Sequence, residues 1–286
     1  MGGDSILPGS TVTEKANSFV NAETTGPGSG THSFLTRSGS ALAIFLVAFV
    51  VYYAAPMTYV QDSAYTIALS QVLLKHGTFH LDYLHIPPDR LRGESGYIYQ
   101  ISVVNRHPFY AYPPGSSVLS APLVPFFKLA GLSALNPDGT YNKRGETQIQ
   151  KVLAATITAL AVALTFLIAR IWLTAAWSWL VALAAAFATP LFSTTSRALW
   201  QHTWSVLLLT AVIYVLCRRD KRGTLTPFVL ASLLSWGYFT RPIFNVSIIA
   251  ISVYLLISPA PSPFGRLWQG IWSAHPGASW SSRPFS

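Results

Sequence analysis

Long apolar stretches, separated by single charges or small charged clusters, divide most of the chain. No charged residue lies between Arg37 and Asp62, and 41–55 is almost purely apolar, which predicts a membrane-spanning helix. Five further spanning helices are predicted at 152–169, 171–196, 198–217, 223–240 and 242–265. The predicted fold class is therefore all-α, a polytopic transmembrane helical bundle with a large first extracytoplasmic loop, 62–150, containing juxtamembrane helices.

An amphipathic helix is predicted at 61–77, directly after the first apolar stretch. Its apolar face would consist of Tyr65, Leu69, Val72 and Leu73, and its polar face of Ser63, Thr66, Ser70 and Gln71. Gly77 is a typical residue just beyond a helix end. Such a helix would lie along the membrane surface, with Asp62 at its head on the membrane–water boundary.

The rest of the external loop is predicted to be mainly polar between 78 and 112, with a short strand at 98–101. The sequence Tyr112-Pro113-Pro114-Gly115-Ser116-Ser117 then begins a hydrophobic helix ending near 128–131, because prolines before a small-residue first turn favour a helix start. Pro122, Pro125 and Lys128 inside this helix argue against a full crossing. We therefore expect it to be juxtamembrane or re-entrant.

The two ends of the chain differ from the apolar part. Residues 1–36 are rich in Gly, Ser, Thr, Asn and Pro, which predicts a disordered cytoplasmic tail. A signal peptide cleaved near 54–55 is the alternative interpretation of the first apolar stretch, but signal peptides keep their charged region short. Residues 37–258 are predicted to form one multi-span domain, and 259–286, rich in Ser, Pro and Trp, an irregular tail.

Composition agrees with a membrane protein. Of the 286 residues, 51% are hydrophobic and 10% charged, whereas soluble domains average about 25% charged residues. The net charge of +9 is attributed to topology signals and anionic lipids, and no nucleic-acid partner is expected, because basic and aromatic residues do not alternate regularly. The single cysteine, Cys217, excludes an internal disulfide.

Orientation determines which polar residues can meet. The cluster 218–222 (Arg218 to Arg222) predicts a cytoplasmic loop. With the amino terminus inside, that placement requires that the helix after Pro114 does not cross the membrane. If the helix does cross, the bilayer separates Asp62 from His202. If it does not, one extracytoplasmic face holds Asp62, Arg106, His202 and Arg241.

The order of these features resembles that of the bacterial GT-C glycosyltransferases, which include protein O-mannosyltransferases and the aminoarabinose transferases of lipid A. The resemblance covers roughly 40–258 and includes the motif Ser196-Arg197-Ala198-Leu199-Trp200-Gln201-His202. It implies inverting hexosyl or mannosyl transfer from a polyprenyl-phosphate donor, on the extracytoplasmic face of a bacterial plasma membrane, with Asp62 as the base. Many members carry a second acid where this chain has Ser63, and members are typically longer, so a truncated product is a further expectation.

Asp62 is the candidate general base because inversion needs one base on the acceptor side. The alternative role is an N-cap of the following helix, shared with Ser63. Arg241 is a candidate for holding the donor phosphate through forked hydrogen bonds, or else a lipid-headgroup arginine. His202 begins a predicted span, where ionisable groups are often functional. The tryptophans beside it, Trp200 and Trp204, suit an interfacial belt.

Arg106 and His107 are candidates for orienting donor or acceptor, although a charged loop near anionic headgroups explains them equally well. The acids Asp82, Asp89 and Glu94 are predicted to be solvated loop charges. A divalent cation is compatible with the family resemblance, but no oxygen ligands can be selected by spacing. The histidines His76, His80 and His85 lack partners for a predicted zinc site.

The sequence is compatible with three functions. The first is the glycosyltransferase, whose expected partners are a polyprenyl-phosphate-linked sugar, a glycan, lipid or protein acceptor, and membrane lipids. The second is a multi-span transporter, which usually shows internal repeats that this sequence lacks. The third is a catalytically inactive, truncated membrane protein, in which Asp62, His202 and Arg241 would be replaceable without loss of chemistry.

Overall fold

The computed structural model describes residues 29–56, 60–86, 98–218 and 226–257. These residues are mostly helical, with a single two-stranded sheet among them. The α-helices are α1 (Ser29–Ala54), α2 (Thr66–His76), α3 (Gly115–Ser120), α4 (Val124–Leu129), α5 (Lys143–Ala169), α6 (Ala175–Phe187), α7 (Gln201–Cys217), α8 (Thr226–Thr240) and α9 (Asn245–Ile257). Short turns of other helix types lie at Ala121–Leu123, Leu191–Thr195 and Pro242–Phe244. The all-α class is therefore confirmed.

Helix α5 is the centre of the bundle. It packs against α1, α6 and α7, and α8 packs on the outer side of α7. Its start is fixed by Asn142, whose side chain accepts a hydrogen bond from the Gly145 amide at 3.0 Å. The alanine-rich sequence that follows favours a helix and lets neighbouring helices approach closely.

Within the described residues, α5 is the one helix that is both long and apolar enough to cross a membrane. It matches the predicted span at 152–169. The 17 residues of α7 reach about 25 Å, slightly less than a bilayer core of roughly 30 Å. Helices α6 and α9 have 13 residues each. The polytopic arrangement thus stays a prediction.

The predicted spans were too long for identifiable reasons. The stretch 171–196 contains Pro190, which has no backbone N–H to donate, and α6 ends at Phe187 before a wide turn at Leu191–Thr195. The next helix begins only at Gln201. The stretch 242–265 starts with a tight turn at Pro242–Phe244 before α9.

The expected exposure of the polar face of α2 is wrong, whereas the position of this helix at a membrane surface stays a prediction. Its predicted apolar face is buried as expected, but its predicted polar face is buried as well, with Thr66 1% and Ser70 0% exposed. The Ser70 hydroxyl has a hydrogen-bond partner inside the protein, because it donates to the Ser117 carbonyl at 2.7 Å. Helix α2 therefore packs against α3, the Ala121–Leu123 turn, α4 and α5, in a cluster with Leu81 and Ile149.

The loop between α2 and α5 is more ordered than predicted. Strands β1 (Ile101–Val104) and β2 (His107–Tyr110) form an antiparallel hairpin, whereas the predicted strand, 98–101, overlaps β1 at one residue. The helix predicted after the proline motif is broken into α3, a tight turn and α4, each of six residues or fewer, which confirms the break expected from Pro122 and Pro125. None of these pieces has the length of a membrane crossing.

Several predicted boundaries change or cannot be compared. Helix α1 begins at Ser29, so 29–36 are helical where a disordered tail was predicted. Residues 1–28, the irregular tail 259–286, the acids Asp89 and Glu94, and most of the basic cluster, 219–222, lie outside the described residues.

Candidate functional site

A cavity of about 290 Å³ lies where the segment after α1, the hairpin, the start of α7 and the end of α8 meet. Three sequence-predicted residues, Asp62, His202 and Arg241, share its wall although they are far apart in the chain. The complete lining consists of Asp62, Ser63, Tyr110, Tyr112, Trp200, Gln201, His202 and Arg241. The structure thus brings together one acid, one imidazole and one guanidinium.

Asp62 lies in the turn before α2 and is half-buried. The Tyr99 hydroxyl donates to its Oδ1 at 2.6 Å, and the Tyr110 hydroxyl donates to its backbone carbonyl at 3.0 Å. The hydrogen bond to Asp62 raises the pKa of Tyr99 to about 12. Burial first, and then the Asp62 charge, raises the pKa of Tyr112. The tyrosines around Asp62 therefore remain neutral hydroxyl donors at physiological pH.

The N-cap interpretation of Asp62 is wrong. Helix α2 begins at Thr66, with Tyr65 in the N-cap position. The amide of Ile67 in the first turn instead donates to Glu146 Oε1, which reaches across from α5, at 3.1 Å. A carboxylate at a helix amino terminus satisfies unpaired amides and complements the helix dipole. Glu146 does the capping, so the carboxylate of Asp62 is not used for it.

Gln150, one turn after Glu146, joins the two walls of the cavity. Its Nε2 donates to the Ser63 carbonyl at 2.7 Å, and its Oε1 accepts from the Ser63 hydroxyl at 2.7 Å. The same Oε1 accepts from the Leu199 amide at 3.2 Å. Ser63 follows Asp62, and Leu199 precedes the Trp200 to His202 segment. One fully buried amide therefore fixes both segments relative to α5.

His202 and Arg241 are positioned by the contact between α7 and α8. The hydroxyls of Ser205 and Thr240 are hydrogen-bonded at 2.9 Å, which holds the start of α7 beside the end of α8. Arg241 follows Thr240 and is exposed, and no described residue pairs with its guanidinium. The exposed guanidinium of Arg241 is thus available to a ligand. Nε2 of His202 is also without a hydrogen-bond partner among the described residues, but this atom is buried.

The proline motif supports Arg241 from the other side. A Cβ atom added to Gly115 would lie 2.4 Å from the Phe239 carbonyl oxygen, so only glycine allows α3 to approach the end of α8 this closely. Tyr112, three residues earlier, lines the cavity. The motif therefore places a tyrosine and a close backbone contact next to Arg241.

The structure does not bring Arg106 and His107 into this cavity. Both lie at the tip of the hairpin, where Arg106 has a φ of 70° and is exposed. His107 instead contacts Asp82, with Nδ1 2.7 Å from Oδ2. Asp82 is exposed in a loop, as expected of a solvated charge, and its carboxylate also contacts His107.

A divalent cation is poorly matched to the cavity as described. Asp62 is the only acid among the lining residues, and magnesium or calcium sites need several oxygen ligands. A larger cleft of about 900 Å³ lies between α2, α4 and the 131–142 loop. It contains Lys75, His76 and Lys128 but none of the sequence-predicted site residues, so its size alone does not make it the better candidate.

Sequence reasoning missed Tyr99, Tyr110, Tyr112, Glu146 and Gln150. The spacing of Glu146 and Gln150, four residues apart at the start of a long apolar helix, is the signal that could have found two of them, because it puts both on one helical face. Tyr99 and Tyr110 carried no comparable signal, whereas Tyr112 is the first residue of the proline motif.

The chain was compared with protein-family models, curated proteins and solved structures, and none of these matches it. The GT-C resemblance therefore rests on the residues and their order.

Proposed function

We propose that the protein is a membrane glycosyltransferase that moves a sugar from a polyprenyl-phosphate donor to an extracytoplasmic acceptor, with inversion. The observation that carries this proposal is the shared cavity of Asp62, His202 and Arg241. Such a reaction requires an acid and a phosphate-binding cation in one cavity.

Membrane residence is supported by the outer faces of the helices. Large apolar side chains are more than half exposed on several of them: Leu42 and Val50 on α1, Trp177 and Leu180 on α6, Phe228 on α8, and Val246, Ile249 and Ile257 on α9. Soluble monomers rarely expose apolar surface this widely, whereas lipid-facing helices do. A lipid-linked donor reaches a site at the edge of such a bundle by diffusing within the bilayer.

Asp62 acts as the general base in this proposal. It removes the proton from the acceptor hydroxyl as that oxygen attacks the anomeric carbon, while the bond from that carbon to the phosphate oxygen breaks. Tyr99 holds Oδ1 of Asp62 at 2.6 Å and so fixes the carboxylate while the other oxygen faces the acceptor.

Arg241 and His202 act on the leaving group. The guanidinium binds two oxygens of the departing lipid phosphate, whose negative charge increases as the glycosidic bond breaks. His202 lines the same cavity and supplies a further polar contact through its imidazole. Because a lipid phosphate is a good leaving group, no separate general acid is needed.

The test is transfer of a radiolabelled sugar from polyprenyl phosphate by the purified chain carrying Asp62→Asn. Asparagine keeps the hydrogen bond from Tyr99 but cannot accept a proton, so the rate should fall by roughly 10²- to 10⁴-fold. Asp138→Asn is the matched control, because Asp138 is exposed in a turn with Thr140. Equal activity of Asp62→Asn and the parent would refute the role of Asp62. A wild-type chain without any transfer activity would favour an inactive membrane protein.

A further inference from the structure

Three metal-ligating side chains converge at the tip of the hairpin. Each of His80, Asp82 and His107 offers a ligand atom, and these atoms all lie within 4.8 Å of one another. His107 Nδ1 is 2.7 Å from Asp82 Oδ2, and His80 Nδ1 is 3.5 Å from the same oxygen. All three side chains are partly exposed, so an ion can reach them from solvent.

The backbone holds this cluster together. His80 forms a β-bridge with Phe109, and the Leu81 amide donates to the Pro108 carbonyl at 2.8 Å. Leu81 is fully buried and anchors the segment in the core. Its neighbours, His80 and Asp82, point to the opposite side, toward solvent. The approach of His80 and Asp82 to His107 is thus built into the strand pairing.

We propose that His80, Asp82 and His107 bind one zinc ion. Two imidazole nitrogens and one carboxylate oxygen form a common zinc ligand set that leaves a fourth position open, whereas magnesium and calcium prefer oxygen ligands alone. Zinc bonds of about 2.0–2.2 Å in a tetrahedron place ligand atoms roughly 3.3–3.6 Å apart. The 3.5 Å pair already fits, and the 2.7 Å pair widens by under about 1 Å when zinc replaces the hydrogen bond. The two imidazole nitrogens lie within 4.8 Å of each other and approach by under about 1.5 Å.

Zinc at this point ties the segment after α2 to the tip of the hairpin. The opposite end of the hairpin carries Tyr110, which contacts Asp62. His107 and Tyr110 are the two ends of β2, about 10 Å apart at the rise of an extended strand. The ion therefore lies outside the Asp62 cavity. This inference does not depend on the proposed glycosyltransferase activity.

The test is zinc binding to the full-length chain, purified in detergent through a tag without histidine and stripped with a chelator. Equilibrium dialysis against micromolar zinc, followed by elemental analysis, should find one ion per chain. His80→Ala and His107→Ala should each weaken binding at least about tenfold. His76→Ala is the matched control, because the His76 ring stacks on Tyr83, away from the cluster.

Cobalt substitution gives a second measurement, which reports the ligands around the bound ion. Cobalt(II) bound by nitrogen and oxygen ligands absorbs in the visible range, and this absorption should disappear in His107→Ala while the melting temperature of the chelator-treated chain stays unchanged. Absence of stoichiometric zinc would overturn the proposal. So would binding that survives both histidine substitutions, or binding that His76→Ala removes.

Discussion

Replacement of Gln150 by leucine tests whether one buried amide holds the cavity together. The side chain is fully buried and makes four hydrogen bonds, two to Ser63, one to Leu199 and one to Glu146. Leucine has a similar volume but neither donates nor accepts. The Ser63 carbonyl and hydroxyl and the Leu199 amide would lose this partner, while Glu146 Oε1 would keep the Ile67 amide.

The size of the effect follows from these lost partners. A buried polar group without a partner costs about 1–3 kcal/mol, and the extra apolar area of leucine returns about 1–2 kcal/mol. Local rearrangement, including rotation of the Ser63 hydroxyl, recovers part of the remainder. We expect a net loss of about 2–5 kcal/mol in the free energy of unfolding, which is a large fraction of the roughly 5–15 kcal/mol that stabilises a typical domain.

The assay is thermal unfolding in detergent, followed by the fluorescence of the 9 tryptophans. At roughly 2–4 °C per kcal/mol, Gln150→Leu should lower the melting temperature by about 4–20 °C. Gln71→Leu is the matched control. Gln71 is only partly buried and hydrogen-bonds to Ser133 at 3.2 Å, so water can replace its partner. Equal melting temperatures for the two variants would refute the role given to Gln150.

Two further changes test the walls of the cavity. Gly115→Ala should reduce sugar transfer and lower the free energy of unfolding by about 1–3 kcal/mol, because the new methyl group would overlap the Phe239 carbonyl. The control is Gly39→Ala, whose methyl group meets no atom within 4 Å. This variant should leave both sugar transfer and stability unimpaired. In a Cys217→Ser background, cysteine at position 62 should react with an impermeant thiol reagent outside intact cells, and cysteine at position 218 only after permeabilisation. The reverse labelling pattern would put the cavity on the cytoplasmic side.

Hydropathy predicted which segments are helical but not where the helices end. Apolar stretches bounded by charges predicted α1 and α5 to α9 as elements, since a long apolar run in a chain with 10% charged residues has few other stable forms. The predicted helix ends were wrong near proline. At Pro190 the apolar sequence continues, but the helical backbone hydrogen bonds do not.

The juxtaposition of Asp62, His202 and Arg241 was predicted from orientation rather than from local pattern. It required the helix after the proline motif to stop short of a crossing, and that helix is indeed broken into α3, a turn and α4. The supporting residues could not be found in this way. Gln150 and Ser63 are 87 positions apart, and a polar side chain near a helix start usually faces solvent. The burial of Gln150 becomes visible only in the structure, where the segment containing Ser63 packs over it.

Burial of small polar residues was the other source of error. The sequence predicts that Ser70 in α2 faces solvent, but its hydroxyl donates to the Ser117 carbonyl. Sequence periodicity cannot distinguish water from a backbone carbonyl as the hydrogen-bond partner of a serine. The cluster of His80, Asp82 and His107 escaped sequence analysis for a related reason. Its third member is brought in by strand pairing, which the spacing of histidines does not reveal.

Occupation of the cavity by the donor phosphate is the most direct test of the proposed function. The measurement is the rate at which a small anionic thiol reagent modifies Gln201→Cys in the purified Cys217→Ser chain, because Gln201 lines the cavity and has no assigned role. Polyprenyl phosphate should slow the modification several-fold, polyprenol of the same length should not, and Arg241→Gln should remove the protection. Equal modification rates with and without polyprenyl phosphate would contradict the placement of the donor in this cavity.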